Sequence, residues 1–228
     1  MYAVHLSSMN EQTKPGRQRL SKARVLQAAV TLADEIGLEA FSMRGLAQSL
    51  GVVPMALYKH VANKDEMLDG MVEMVFDEMD SPSVGDDWRS ALRGRAISAR
   101  DVLKRHPWAI GLMESRQPGP ANLRHHNATM GCLRAAGFSF EMAIHAYSVQ
   151  DAYIYGFALQ EQDLAFETPR SAGQAAQRRA ENNGALHEYP YLTEIVTRLP
   201  ETGYDPDLEF AWGLDLILSG LDQLPREA

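Results

Sequence analysis

Between residues 44 and 64 the chain carries side chains suited to contact with a polyanion. Arg44, Lys59 and Lys64 supply cations, and Tyr58 and His60 supply donors for phosphate oxygens. Lys59 can also reach a guanine edge. Just before them stand Pro54, Met55 and Ala56, which offer only apolar surface, the kind that fits a thymine methyl. Side chains of this mixture do such work only when a short helix holds them outward and its other face is anchored in a core.

A second set has the chemistry of a small-molecule pocket, in which apolar and aromatic walls carry a few polar groups between helices. Met79, Trp88, Arg95, Trp108 and Met113 are candidates, as are Arg116, His126, Met130, Tyr147 and Asp151. Methionine can line an adaptable pocket, although a Met and Trp stripe serves a core equally well. Metal ligation is not expected. His125 and His126 are adjacent, so on a helix they point about 100° apart and do not chelate one ion easily. The single cysteine, Cys132, can form neither an internal disulfide nor a thiolate zinc site. It reads as a small buried hydrophobe in a reduced, cytoplasmic setting. The chain holds no Glu-x-x-His pair, no Gly-x-Ser-x-Gly and no phosphate loop, so neither catalysis nor a cofactor is expected.

The elements that must position these groups are all helical. Val25, Ala28, Ala29, Leu32 and Ile36 recur at helical spacing after Ser21, and Gly37 ends that helix. Ser42 caps a second helix holding Leu46, Ala47 and Leu50, and Gly51 supplies the turn after it. A short third helix is predicted from Pro54 to Val61, with proline in its first turn. Asn63 followed by Glu66 starts a fourth, running through Met79. Further helices are expected from Asp86 or Asp87 to His106, over Trp108 to Glu114, from Pro120 to Ala136, and from Ser139 to about Gln162. Residues 163–189 are polar without an apolar stripe and read as a loop or frayed helix. A short helix from Pro190 to Arg198 and a last one after Asp205 complete an all-α fold.

The formal charge of −8 argues at first against a nucleic-acid partner. Divided at residue 64 it changes meaning: the first part carries +4 and the remainder −12. A basic module joined to an acidic body suggests two different partners. The expected organisation is an arm over residues 1–19, a helix-turn-helix module over 20–64 with a linking helix at 63–80, and a larger body over 81–228. No apolar run reaches the ~18 residues of a membrane helix, and no signal peptide is expected. Two apolar helices of the body are candidates for pairing with a second copy as a four-helix bundle. One offers Ile144, Tyr153 and Phe157, and the other Phe210, Leu214, Ile217, Leu218 and Leu221.

The segment from Ala28-Ala29 through Gly37, Phe41-Ser42-Met43-Arg44, Leu46-Ala47, Leu50-Gly51-Val52, Leu57-Tyr58-Lys59-His60-Val61 and Asn63-Lys64 to Leu68 resembles the DNA-binding domain of TetR-family transcriptional regulators. The resemblance implies that Arg44, Pro54, Met55, Ala56, Tyr58, Lys59, His60 and Lys64 contact an operator in double-stranded DNA. It also implies a homodimer whose body binds a small-molecule effector, most often in a repressor. More weakly, Trp88-Arg89-Ser90, Arg116-x-Pro118 and Ala136-Gly137-Phe138-Ser139 resemble the tetracycline-repressor type of body. By that resemblance Met113, Arg116, His126 and Thr129 stand at drug or metal contacts. Met113 takes the place of a metal-ligating imidazole, which speaks against a metal–tetracycline inducer.

Overall fold

The structure is a computed structural model that describes residues 19–163 and 188–226. The expected arm, apart from Arg19, and nearly all of the polar stretch 163–189 lie outside the described residues. Among those described, the chain forms helices and no strand. The first four are α1 (Lys22–Ala40), α2 (Met43–Ser49), α3 (Pro54–Leu57) and α4 (Lys64–Asp77). The body follows with α5 (Trp88–Arg105), α6 (Ala109–Ser115), α7 (Pro120–Ala135), α8 (Phe140–Asp163), α9 (Pro190–Thr202) and α10 (Pro206–Asp222).

Local chemistry explains the boundaries. Ser21, Ser42, Asn63 and Asp87 each accept a hydrogen bond from the backbone N–H three residues on, which satisfies a donor the first helical turn leaves open. Asp205 does the same for Asp207 and Leu208 at the head of α10. Gly37 leaves helical geometry at φ 74°, so regular α1 ends there and a single turn continues to Ala40. Gly51, at φ 65°, makes the turn between α2 and α3 that a residue with a Cβ adopts only under strain. The third helix is shorter than expected. It stops at Leu57 because the N–H of His60 closes onto the Leu57 carbonyl at 2.8 Å, and the tightened turn sends Val61 into the core.

The packing yields a small module and a larger bundle joined by one helix. α1 packs on α2 and α4, and α2 on α3, around Val25, Leu46, Leu57, Val61 and Met67. In the body α5, α7, α8 and α10 pack together around Leu92, Leu133, Ile154, Phe210 and Leu214. α4 belongs to both, since it lies against α1 on one side and against α6 and α7 on the other.

Candidate functional site

The helix-turn-helix is built from the inside out. Leu46, Ala47, Leu57 and Val61 are buried and lock α2 onto α3. With that face used, Pro54, Met55, Tyr58 and Lys59 stand exposed, and Ala56 and His60 are half-buried beside them. Arg44 is exposed near the start of α2. Lys64 is exposed as well, but its Nζ turns inward toward the Phe41 carbonyl at 3.4 Å and lies over the Phe41 ring. In this arrangement it braces the module. The start of α4 is further fixed by Glu66, which accepts from the Ala62 N–H at 2.6 Å and pairs with Lys22 of α1 at 2.6 Å. The hydrogen bond from Lys22, and then that from Ala62, hold the Glu66 carboxyl below its ordinary range.

In the body the structure gathers Arg95, His126, Tyr147 and Asp151, and adds His125 and Gln150. The Arg95 guanidinium is buried and spends its donors in three directions. It reaches His125 Nε2 at 3.0 Å, Gln150 Oε1 at 2.7 Å and Asp151 Oδ1 at 2.5 Å. Because Arg95 donates to Nε2, the His125 proton sits on Nδ1, which faces Ser81 Oγ at 3.1 Å. Burial, then the Arg95 charge and then His126 push the His125 imidazole down to about 4, so it is neutral near pH 7. Burial also lowers His126. Tyr147, raised first by burial and then by the Asp151 charge, keeps its proton and meets His126 Nε2 at 2.5 Å. Phe76 of α4 packs on both imidazoles at 5.9 and 6.1 Å. The node therefore joins α5, α7 and α8 and touches the helix that leads to the module. His125, Gln150 and Phe76 lie outside the sequence-based set, because they come together only through a tertiary contact between distant segments.

The other pocket candidates do not join this node. Trp88 packs edge-on against Phe138 at 5.1 Å, with the Arg226 guanidinium 5.2 Å over its ring. Trp108 donates its Nε1–H to Asp34 of α1 at 2.7 Å. The same Asp34 oxygen lies 2.8 Å from His106 Nδ1, and His106 Nε2 faces Glu78 at 3.2 Å. Trp108 therefore belongs to the joint between module and body. Burial opposes it, but hydrogen bonds from Arg105 and His106 hold the Glu78 carboxyl below its ordinary range. Arg116 is drawn to α4 by Asp65 at 2.9 Å and Asp69 at 2.5 Å. With Met113 it lines a crevice of about 30 Å³, where Asn122 Oδ1 is buried without a partner among the described residues. Thr129 is fully buried, and its hydroxyl donates to the His125 carbonyl of its own helix. Met79 is buried in the core and Met130 packs against it half-buried.

The expected pairing face also needs correction. Phe210, Leu214, Leu218 and Leu221 point into the protomer, where α10 packs on α5 and α8. Phe210 stacks on Tyr153 at 5.2 Å and meets Phe157 edge-on at 5.1 Å. Tyr153 donates to the Phe210 carbonyl at 2.9 Å, and Gly213 makes room because any Cβ there would strike the Tyr153 ring. Tyr153 and Phe157 are thus fixed within the protomer, and Ile217 is half-buried against the same core. Of the expected set Ile144 lies on an open face, and the other exposed apolar positions are different ones. α10 exposes Leu208, Trp212 and Leu216 at four-residue spacing, and α8 exposes Phe140, Ile144, Val149 and Leu159.

A basic helix-turn-helix module riding on an all-helical body through one shared helix defines a class of DNA-binding regulators. Residues 25–71 match the model of the N-terminal domain of bacterial regulatory proteins of the tetR family. Residues 81–224 match that of the tetracyclin repressor-like C-terminal domain. The chain is 33% identical to the transcriptional repressor DrrR1 of Streptomyces coeruleorubidus, over 90% of this chain and 78% of that one. It is 31% identical to the class A tetracycline repressor of Escherichia coli, over 89% and 91%. Among solved structures, ActR of Streptomyces coelicolor in complex with actinorhodin superposes with a TM-score of 0.71 at 28% identity, covering 89% of this chain and 97% of ActR. This chain belongs to the TetR family of transcriptional regulators, which are ligand-responsive DNA-binding repressors.

Proposed function

We propose that this protein is a homodimeric cytoplasmic repressor that leaves a pseudo-palindromic operator when a small molecule binds its body. The observation that carries this is the outward face of α2 and α3 on a basic module. Tyr58, Lys59 and Arg44 are exposed there over a buried anchor of Leu46, Leu57 and Val61. His60, Pro54, Met55 and Ala56 complete the face, and Lys64 contributes from the start of α4 while bracing Phe41. The body is not an enzyme in this reading. Its acidic surface repels the duplex, so the basic end alone docks.

The effector enters the body beside the node of Arg95, His125, Tyr147, Gln150 and Asp151. Relatives support an organic ligand: ActR is solved with actinorhodin, and others are named for tetracycline. Displacing Arg95 from His125 shifts α7 against Phe76, and hence α4 against α1. Ligand then favours the state in which the two α3 helices are wrongly spaced for successive major grooves.

The test is selection of genomic fragments by the full-length protein, followed by sequencing. Enrichment of a palindrome with half-sites about one helical turn apart is expected. Enrichment of no sequence would sink the reading. Lys59→Ala should weaken the selected operator and lower the slope of log affinity against log salt by about two, one for each protomer. The far-ultraviolet circular dichroism and the oligomeric mass should stay as in the wild type.

A further inference from the structure

The leading turn of α3 has a composition that hydrogen-bonding readout does not explain. Val53, Pro54, Met55 and Ala56 carry no side-chain nitrogen or oxygen, and Pro54 lacks a backbone N–H as well. Val53 sits at the N-cap position without a side-chain capping bond, where a serine or aspartate would normally serve the helix better. Yet Val53 is 69% exposed and Met55 70% exposed. Two large apolar side chains flank a proline at the tip of the module, and the core beneath them is already closed by Leu57 and Val61.

The stretch of chain that carries this apolar tip has charge of one sign. Residues 40–64 contain Arg44, Lys59 and Lys64 and no acid. The surface is therefore apolar at its centre and cationic around it. That pattern complements the floor of a major groove between two phosphate backbones. Among base edges in that groove, the apolar group of ordinary DNA is the thymine C5-methyl.

We infer that Val53 and Met55 are specificity-determining residues that read pyrimidine 5-methyl groups, those of thymine, in each operator half-site. The inference rests on the operator-binding reading above and adds how the bases are told apart. Valine gives a rigid contact and methionine an adaptable one. Because contact is with the methyl group and not with a donor or acceptor, 5-methylcytosine presents the same feature as thymine at that point, whereas uracil lacks it.

The experiment uses the full-length protein and duplexes with a randomised centre. From the selected operator, each thymine is replaced in turn by deoxyuridine, and affinity is measured by fluorescence anisotropy. One or two thymines per half-site should each lose about four-fold on removal of the methyl, the effect of one buried methylene-sized group. Cytosine at such a position should bind more weakly than 5-methylcytosine by a similar factor. In Val53→Asn and Met55→Gln, both at exposed positions, the thymine-to-uracil ratio should fall toward one. Specific binding in which every deoxyuridine changes affinity by less than about two-fold, well under the effect of a buried methyl, would overturn the inference alone. So would full methyl sensitivity retained in both variants. Failure to select any sequence would instead remove the operator-binding reading on which it rests.

Discussion

Arg95 shows what one buried side chain demands of its neighbours. Its side chain is 2% exposed, and Asp151 supplies the opposing charge. A guanidinium taken out of water is tolerated only when its charge and donors are all met. Asp151→Asn should therefore cost about 3 kcal/mol in denaturant unfolding, because it leaves the cation buried and uncompensated. His125 meets the Nε donor, and this binds its protonation state to folding. Its imidazole is pushed from 6.5 down to about 4, first by burial and then by Arg95. The unfolded chain therefore holds more protons across that window. The stability linked to His125 is complete above pH 6.5 and is lost as pH falls toward 4. By pH 5 the loss should be about 2 kcal/mol. Thermal melts at pH 7 and pH 5 should show the drop in the wild type and a shallower one in His125→Asn. Parallel pH profiles for the two proteins would show that this imidazole is not the source.

α4 couples the two halves through a row of acids at four-residue spacing. Asp65 and Asp69 hold Arg116, Glu73 accepts from the Ala121 N–H at 2.6 Å at the head of α7, and Asp77 pairs with Arg124 at 2.8 Å. The row meets α7 and the loop before it, while Met67, Met71 and Val75 of α4 are fully buried. Arg116→Gln would leave Asp65 and Asp69 facing each other one turn apart. These carboxylates are largely exposed, so the cost in stability should be about 1 kcal/mol or less. The clearer readout is hydrogen exchange, which should quicken at residues 64–69 and 119–123 and stay unchanged in α8. Uniform exchange across α4 in the variant would deny Arg116 a bracing role. Helix ends of this kind were legible from residue types: Ser21, Ser42, Asn63 and Asp205 cap as their chemistry requires, and Gly37 and Gly51 turn the chain. Which face of a helix points inward was less legible. α10 is apolar on two sides, so its pattern names two stripes and does not rank them. The stripe through Phe210 and Leu214 went inside because Tyr153, more than fifty residues away, stacks there. The polar node was hidden for the same reason: Arg95 and Asp151 lie 56 residues apart and share no local motif.

At the scale of the whole molecule, the described residues leave an apolar face uncovered. Leu208, Trp212 and Leu216 stand 67%, 65% and 56% exposed along α10, and Phe140 and Ile144 stand exposed on α8. Between Ile144 and Leu159 the four-residue row on α8 continues through Ser148, Ala152 and Gly156, small residues that let another helix approach closely. Scattered surface leucines need no explanation, but a stripe of this length with a central tryptophan is the anatomy of an interface. A two-fold pairing of α8 and α10 with their copies would bury it, and binding to successive half-sites would require that pairing to hold the two α3 helices about 34–36 Å apart. Trp212→Glu places a charge in the middle of that face and touches no core position of the protomer. Sedimentation should then show a monomer with unchanged helix content. Operator affinity should fall by more than the loss from one weakened contact, since a monomer engages one half-site and forfeits the effective concentration that links the second. A dimer that persists in both Trp212→Glu and Ile144→Glu would place the pairing surface elsewhere on the body. A monomer that still bound the full palindrome at wild-type affinity would separate pairing from DNA recognition.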